Sequence, residues 1–208
     1  MSEASEVSPV RKMWNDRYRI DTLLYGDEPN VFLRDHVDLL PMGDILCLAE
    51  GEGRNAVFIA KSGRLVTSVD ISEVAVEKAQ RLAKKREATV NARVGDLRYF
   101  DLGQECWDGI ISIFAHMPTK IRADLHARVV RALRPGGILI LEAYTPDQMG
   151  RGTGGPELQE MMMKLEDLTV ELASLQFIHA HECERAVLEG TAHHGVGAVV
   201  QLIARKHP

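Results

Sequence analysis

From Gly43 onward, short apolar runs alternate with longer stretches whose apolar residues recur at helical spacing, which is how βαβ units of a parallel sheet read along a chain. Strands are predicted over residues 45–48, 65–69, 89–94, 109–113 and 138–143, each short and apolar as a strand covered on both faces should be. Helices over 55–61, 73–86 and 120–133 cross between them, and Pro135-Gly136-Gly137 stops the last. The tail reads differently. Residues 175–184 and 196–205 predict two strands joined by a Gly- and His-containing segment, an antiparallel hairpin on the sheet edge. Ahead of the sheet, 10–18 and 31–40 read as helices on either side of the turn-rich Tyr25-Gly26-Asp27-Glu28-Pro29-Asn30, a lid in this arrangement. Gly152-Thr153-Gly154-Gly155-Pro156 predicts a mobile loop that enters an amphipathic helix carrying Leu158, Met161, Met162, Leu165, Leu168 and Leu172. The fold class is α/β, a doubly wound and mostly parallel sheet.

Composition narrows the classes. At 208 residues and 45% hydrophobic, the chain suits one domain, divided into a lid (1–42), a ligand-binding core (43–145) and an acceptor-side loop, helix and hairpin (146–208). The 25 basic and 30 acidic residues leave a net charge of -5, which offers no footprint for nucleic acid or an anionic membrane. No segment is apolar for long enough to span a bilayer, and the first ten residues carry Glu3 and Glu6 with no apolar leader core. Cys47, Cys106 and Cys183 lie far apart with no CxxC pair, which points to a reducing cytoplasm. His193 and His194 are adjacent on an extended segment and face opposite ways, so no metal site is assigned to them with Cys183. Nothing in the sequence selects an oligomeric state.

The strongest local signal is Ile45-Leu46-Cys47-Leu48-Ala49-Glu50-Gly51-Glu52-Gly53-Arg54-Asn55, a strand running through glycines into a helix. Gly51-x-Gly53-x-x-Ala56 also satisfies the dinucleotide fingerprint, so an NAD(P)-dependent oxidoreductase is one reading. Charge favours another: Glu50 and Glu52 repel a pyrophosphate and suit a ligand that carries a sulfonium and an ammonium. Asp70, closing the second strand, stands where such folds place an acid on an adenosine ribose, although Asp at a strand end also caps helices. Asp96 ends the third strand at the same edge. There its carboxylate suits an adenine amino group beside Leu97, or an Asx-turn after Gly95.

With these residues in view, the chain resembles the class I S-adenosylmethionine-dependent methyltransferases, most closely their tellurite-resistance and thiopurine methyltransferase-like branch. The resemblance rests on Trp14-Asn15-Asp16-Arg17-Tyr18, the Tyr25 to Asn30 turn, the Glu50 to Asn55 loop, Val69-Asp70-Ile71-Ser72, Gly95-Asp96-Leu97 and Leu133-Arg134-Pro135-Gly136-Gly137. It implies a Rossmann-like sheet of seven strands ending in the reversed hairpin, with S-adenosylmethionine as cofactor. The cofactor-binding residues it implies are Arg17, Tyr25, Glu50, Gly51, Gly53, Asn55, Asp70, Ile71, Asp96, Leu97 and Ile113. Arg17 and Tyr25 would close over the cofactor. Two positions depart from the pattern: Cys47 stands where the family has an acid, and Ala49 replaces the first glycine of the loop, a change that costs little while its φ stays negative.

Methyl transfer is an in-line displacement that needs alignment and exclusion of water more than a catalytic triad. The acceptor is expected above the ends of the fourth and fifth strands, near Phe114, His116, Tyr144 and Arg151, with His116 and Tyr144 as catalytic candidates. His116 suits a general base, an acceptor ligand or a bond to a loop carbonyl. No Asn-Pro-Pro-Tyr or Asp-Pro-Pro-Tyr segment follows the fourth strand, so the expected acceptor is a small molecule or inorganic oxyanion. The alternative to an enzyme is a non-catalytic module that keeps the cofactor crevice.

Overall fold

The period of two along the central strand sets the layers. In β1 (Asp44–Leu48), Ile45 and Cys47 face one side of the sheet and Leu46 and Leu48 the other. The computed structural model describes residues 8–208, so Glu3 and Glu6 lie outside the described residues. Ile45 and Cys47 pack with Phe32 and Leu33 of α2 (Val31–His36) and Ala56 and Ile59 of α3 (Arg54–Lys61). Leu46 and Leu48 pack with Leu125 and Val129 of α5 (Thr119–Ala132) and Leu168 of α6 (Leu165–Glu171). The remaining helices are α1 (Pro9–Tyr18) and α4 (Glu73–Lys85).

With β2 (Leu65–Asp70), β3 (Val90–Val94), β4 (Trp107–Ile113), β5 (Leu133–Tyr144), β6 (Leu175–Glu189) and β7 (His193–Lys206), the sheet has seven strands in the order β3-β2-β1-β4-β5-β7-β6. The first five are parallel, and β7 runs antiparallel to both β5 and β6. The expected Rossmann-like sheet with its reversed C-terminal hairpin is present. Among the described residues no helix is long and apolar enough to cross a membrane.

Several boundaries differ from the reading of the sequence. The second N-terminal helix stops at His36 and tightens into a 3-10 turn over Val37–Leu39. β3 is not covered on both faces: as an edge strand it leaves Val94 41% exposed. β5 starts at Leu133, ahead of the Pro-Gly-Gly segment, because Leu133 pairs with Trp107 across a register shift. The helix expected from Leu158 is only α6 preceded by a 3-10 turn over Gln159–Met161. The break between them lets Met163 enter the core, where its amide donates to Tyr144 O at 2.9 Å.

Candidate active site

The sheet order reverses beside β1, and the crevice at the C-terminal ends of β1, β2 and β4 is where open α/β sheets take ligands. Glu50 N still donates to Val69 O at 3.2 Å, so the ladder holds one residue past Ala49. Ala49 itself has φ +47°, which corrects the expectation of a negative φ: the turn into the loop needs the left-handed region that glycine occupies freely. Ala49→Gly is therefore expected to stabilise the protein by roughly 0.5–1 kcal/mol and raise Tm by about 1–4 °C. A calorimetric scan showing no rise would mean that the neighbours relieve this strain already.

The two loop carboxylates do different work from that expected of them. Glu50 Oε1 accepts from Asn55 N and Ala56 N, both at 2.8 Å, and so occupies the first amides of α3. A pyrophosphate bound in the dinucleotide manner would need those same amides, and a carboxylate held on them repels it. Glu52 is buried and turned away from the crevice, accepting from Lys78 Nζ at 2.8 Å and Leu24 N at 2.7 Å. Lys78 also donates to Ile20 O and Thr22 O, so the pair fastens the N-terminal segment to the core. Of these two carboxylates, only Glu50 has an oxygen, Oε2, with no hydrogen bond among the described residues.

Desolvation pushes the Glu50 carboxyl from its ordinary 4.5 up to about 7, against the opposing pull of the Ala56 amide. Below 4.5 both states are protonated. As pH rises from there through about 7, the unfolded chain ionises first and the native state loses stability relative to it. His116 and His193, pushed down from 6.5 to about 4 and about 3 by burial, act in the opposite direction over part of this window. The difference between wild type and Glu50→Gln isolates the glutamate. Its variant, whose amide oxygen can still cap α3, is expected to gain stability relative to wild type as pH is raised from 5 to 8, measured by urea unfolding. A parallel pair of curves would overturn this.

Asp70 is buried at the end of β2, with Oδ2 accepting from Gly51 N and Oδ1 from Ser72 N, both at 2.8 Å. The helix cap is Ser72, whose Oγ accepts from Ala75 N at 3.1 Å and donates to Asn15 Oδ1 at 2.7 Å. Asp70 is thus anchored without being spent on α4, and each oxygen retains a lone pair. Desolvation raises its carboxyl to about 6.

Gly51 has φ +65°, and a Cβ there would lie 2.8 Å from Tyr18 Oη, so a side chain would fill the space between loop and lid. Tyr18 stacks on Trp14 and meets Tyr25 edge-on, and the Arg17 guanidinium lies over the Trp14 ring at 5.3 Å. Gly53 caps α3 in the left-handed region, and Asn55 Oδ1 accepts from Asn30 N at 2.9 Å. Asp96 is gripped by Arg98, whose hydrogen bonds hold its carboxyl below the usual range. Leu97 and Ile113 are buried near the same edge, and Ile71 is half-buried between Asp70 and Ser72. Cys47 is wholly buried in the apolar layer under α2 and α3, so it does not substitute for the acid of the family pattern.

At the ends of β4 and β5 the structure gathers an aromatic cluster. Phe114, at φ +52°, places its ring 4.6 Å from Tyr144 and 4.8 Å from His193, and Tyr25 lies 4.6 Å from His193. His116 Nδ1 bonds Met161 O at 3.0 Å, and Nε2 accepts from Tyr144 N at 3.2 Å, so both ring nitrogens are engaged by backbone. Arg151 is drawn away, to Glu184 at 2.5 Å. Of the two adjacent histidines, His193 is buried in the cluster and His194 is exposed.

Behind these rings lies a buried polar network that the sequence reading missed. Glu142, fully buried on β5, accepts from Asn30 Nδ2 at 2.6 Å, Gln201 Nε2 at 2.7 Å and two nitrogens of Arg185. Glu189 accepts from Asn30, Arg185 and Arg54. A glutamate inside an otherwise apolar strand was a readable signal for Glu142. Arg54 and Glu189 carry none.

A family model described as a methyltransferase domain matches residues 45–137. No curated protein matches the chain in sequence. Among solved structures, one from echinomycin biosynthesis, concerned with converting a disulfide bond into a thioacetal group, is similar at TM-score 0.75 and 19% identity, covering 95% of this chain and 92% of that one. TehB from Haemophilus influenzae is similar at 0.71 and 16%, covering 94% and 66%. An S-adenosylmethionine-dependent methyltransferase from Methanosarcina mazei is similar at 0.67 and 18%, covering 86% and 99%. At these identities the likeness carries the fold.

Proposed function

We propose that this chain is an S-adenosylmethionine-dependent methyltransferase that methylates a small-molecule or oxyanion acceptor at the ends of β4 and β5, a reading supported by the methyltransferase-domain match over residues 45–137 and by the fold it shares with such enzymes. The observation that supports the cofactor's placement is Asp70, anchored by the Gly51 and Ser72 amides yet with lone pairs to spare. The residues fit the group: two anchored carboxylate oxygens suit a ribose diol, the space over Gly51 admits no side chain, and Glu50 Oε2 suits an ammonium. Leu97, Ile71 and Ile113 supply apolar contact for an adenine, and Asp96 an acceptor at its rim. In this reading Arg17, Tyr18 and Tyr25 belong to a lid, the role assigned to the N-terminal part of the chain up to residue 42, of which residues 8–42 are described, over a core of 43–145.

When bound, the cofactor supplies a methyl carbon activated by its sulfonium. The protein's part is to align an acceptor with that carbon and to keep water out. We assign Tyr144 to the acceptor and His116 to positioning, since a ring bonded at both nitrogens holds the end of β5 against the 161–163 segment. The small size of the acceptor is supported by the loop around Gly154, which packs over Tyr144 and His193. A cytoplasmic setting is supported by three free thiols. The tellurite-resistance and thiopurine branch stays part of the proposal, resting on the motifs.

Calorimetric titration tests the cofactor: S-adenosylmethionine and S-adenosylhomocysteine should bind and NAD should not. Incubating the protein with methyl-labelled cofactor and a cell extract, then separating by size, tests the acceptor. Label in the small-molecule fraction is expected, and label confined to protein or nucleic acid would sink the small-acceptor reading.

A further inference from the structure

The chain between Tyr144 and Met163 is anchored at both ends and latched in the middle. At the near end Gln148, 2% exposed, is stitched to β7, its Oε1 accepting from Ala198 N at 2.9 Å. At the far end four successive residues are held by their backbone: Glu160 O by Thr119 Oγ1, Met161 O by His116 Nδ1, Met162 O by Arg122 Nη1 and Met163 N by Tyr144 O, at 2.9–3.1 Å. Between the anchors, Gly150, Gly152, Gly154 and Gly155 all have positive φ. A Cβ at Gly150 or Gly152 would meet nothing within 4 Å, so the backbone turn and not packing selects glycine there.

This stretch lies over the ends of β4 and β5. A Cβ at Gly154 would stand 3.0 Å from Tyr144 Oη, and one at Gly155 3.1 Å from Tyr144 Cδ2. Tyr144 is 0% exposed, so an acceptor assigned to it reaches it only when a part of the fold moves. The Tyr25 turn, the other cover of the cluster, is tied from within: Lys78 Nζ donates to Ile20 O and Thr22 O, and Leu24 N to the buried Glu52. The glycine stretch is held more lightly. Thr153 O accepts from His194 N at 3.2 Å, Thr153 Oγ1 donates to Val196 O at 3.0 Å, Gln148 Nε2 reaches Thr153 Oγ1 and Gly154 O at 2.9 Å, and Arg151 pairs with Glu184 at the surface. Each such bond contributes little net, because water replaces it on opening. Closure also has a cost: Tyr144 Oη is buried with no hydrogen-bond partner among the described residues, a penalty at least as large as one of those bonds contributes, and opening hydrates it.

Resting on the methyltransferase reading, we propose that residues 149–158 are the acceptor's gate. The gate is hinged at Gly150 and Gly152 before Thr153 and at Gly155 after it, with Thr153 as the latch. It lifts from Tyr144 while the anchors at Gln148 and at 160–163 stay in place.

Hydrogen exchange followed by NMR tests the movement with no ligand present. The amide of His194, bonded to the latch, is expected to exchange through a local opening that low urea does not accelerate, and that of Ala198, bonded to the anchor, only through larger unfolding. The amides of Thr191 and Ala192 lie at the same hairpin tip but donate to Leu24 O, and so report fraying of the tip. Thr153→Val removes the hydroxyl at nearly constant volume. It is expected to speed exchange of His194 about tenfold and to leave the other three within about twofold. Acceleration of all four together, or an unchanged rate at His194, overturns the gate.

Locking the latch tests its purpose. A Cβ at Gly195 would stand 3.1 Å from Thr153 Cβ, a few tenths of an ångström inside the usual span of a disulfide. The oxidised double variant Thr153→Cys/Gly195→Cys is expected to keep its affinity for S-adenosylhomocysteine, to lose label transfer to the small-molecule fraction, and to recover transfer on reduction. Undiminished transfer with the bridge verified by mass overturns the gate and leaves the methyltransferase reading standing. Wild type that neither binds S-adenosylhomocysteine nor transfers label removes both.

Discussion

Asp70→Ala is expected to weaken S-adenosylhomocysteine binding at least about 100-fold, which in a routine titration means no measurable heat. Two hydroxyl bonds to an ionised carboxylate are together worth roughly 3–6 kcal/mol, and 2.7 kcal/mol is about 100-fold in affinity. The loss has a second source. Asp70 also holds the Gly51 and Ser72 amides, so its removal loosens the loop on which the ligand would rest. Asp70→Asn should behave almost as badly, because its amide nitrogen must face either the Gly51 or the Ser72 N–H, donor against donor. Retention of binding within tenfold in both variants, with the fold confirmed by circular dichroism, would move the ribose site elsewhere.

Arg185→Met is expected to lower Tm by about 10 °C, the largest stability effect of any single substitution suggested here. Arg185 bridges Glu142, fully buried, and Glu189, 4% exposed. Removing it leaves Glu142 with only Asn30 and Gln201, an uncompensated charge in a water-poor site. Breaking a buried pair in this way costs about 3–5 kcal/mol, and at this chain length each kcal/mol moves Tm by about 2–4 °C. Adding Glu142→Gln to Arg185→Met removes the stranded charge and should recover part of the loss. A fall of less than about 3 °C in the single variant, or no recovery in the double, would show that the network is not what ties the lid, α3 and the hairpin together.

How much of this was legible depends on the kind of interaction. The alternation of apolar runs located all seven strands and the crossover helices, because burial on a sheet face or a helix stripe writes a period of 2 or 3.6 into the chain. The glycines of the loop and the acid 19 residues after Gly51 were legible for a related reason, since both are consequences of local backbone geometry. The premature end of the helix from Leu158 was not, because Met163 leaves the helical path to pair with Tyr144, which is 19 positions earlier and adjacent only in the folded sheet. The conformation of Ala49 was misjudged for the same reason: its φ is set by the pairing of Glu50 with Val69 on a neighbouring strand.

The sequence by itself therefore determined the layers, the reversed hairpin and the sheet edge at which the glycine loop, Asp70 and Asp96 meet, all of which follow from periodicities and turn chemistry within a few residues. Only the tertiary structure decided which acid does what: Glu50 caps a helix, Glu52 tethers the N-terminal segment, and Asp70 holds the Gly51 and Ser72 amides without capping α4. It also decided that Arg54, Tyr144 and His193, drawn from α3, β5 and β7, converge with polar atoms that have no partner among the described residues. A side chain's free lone pairs and donors depend on every neighbour that reaches it, and those neighbours come from parts of the chain whose separation in sequence carries no record of their contact.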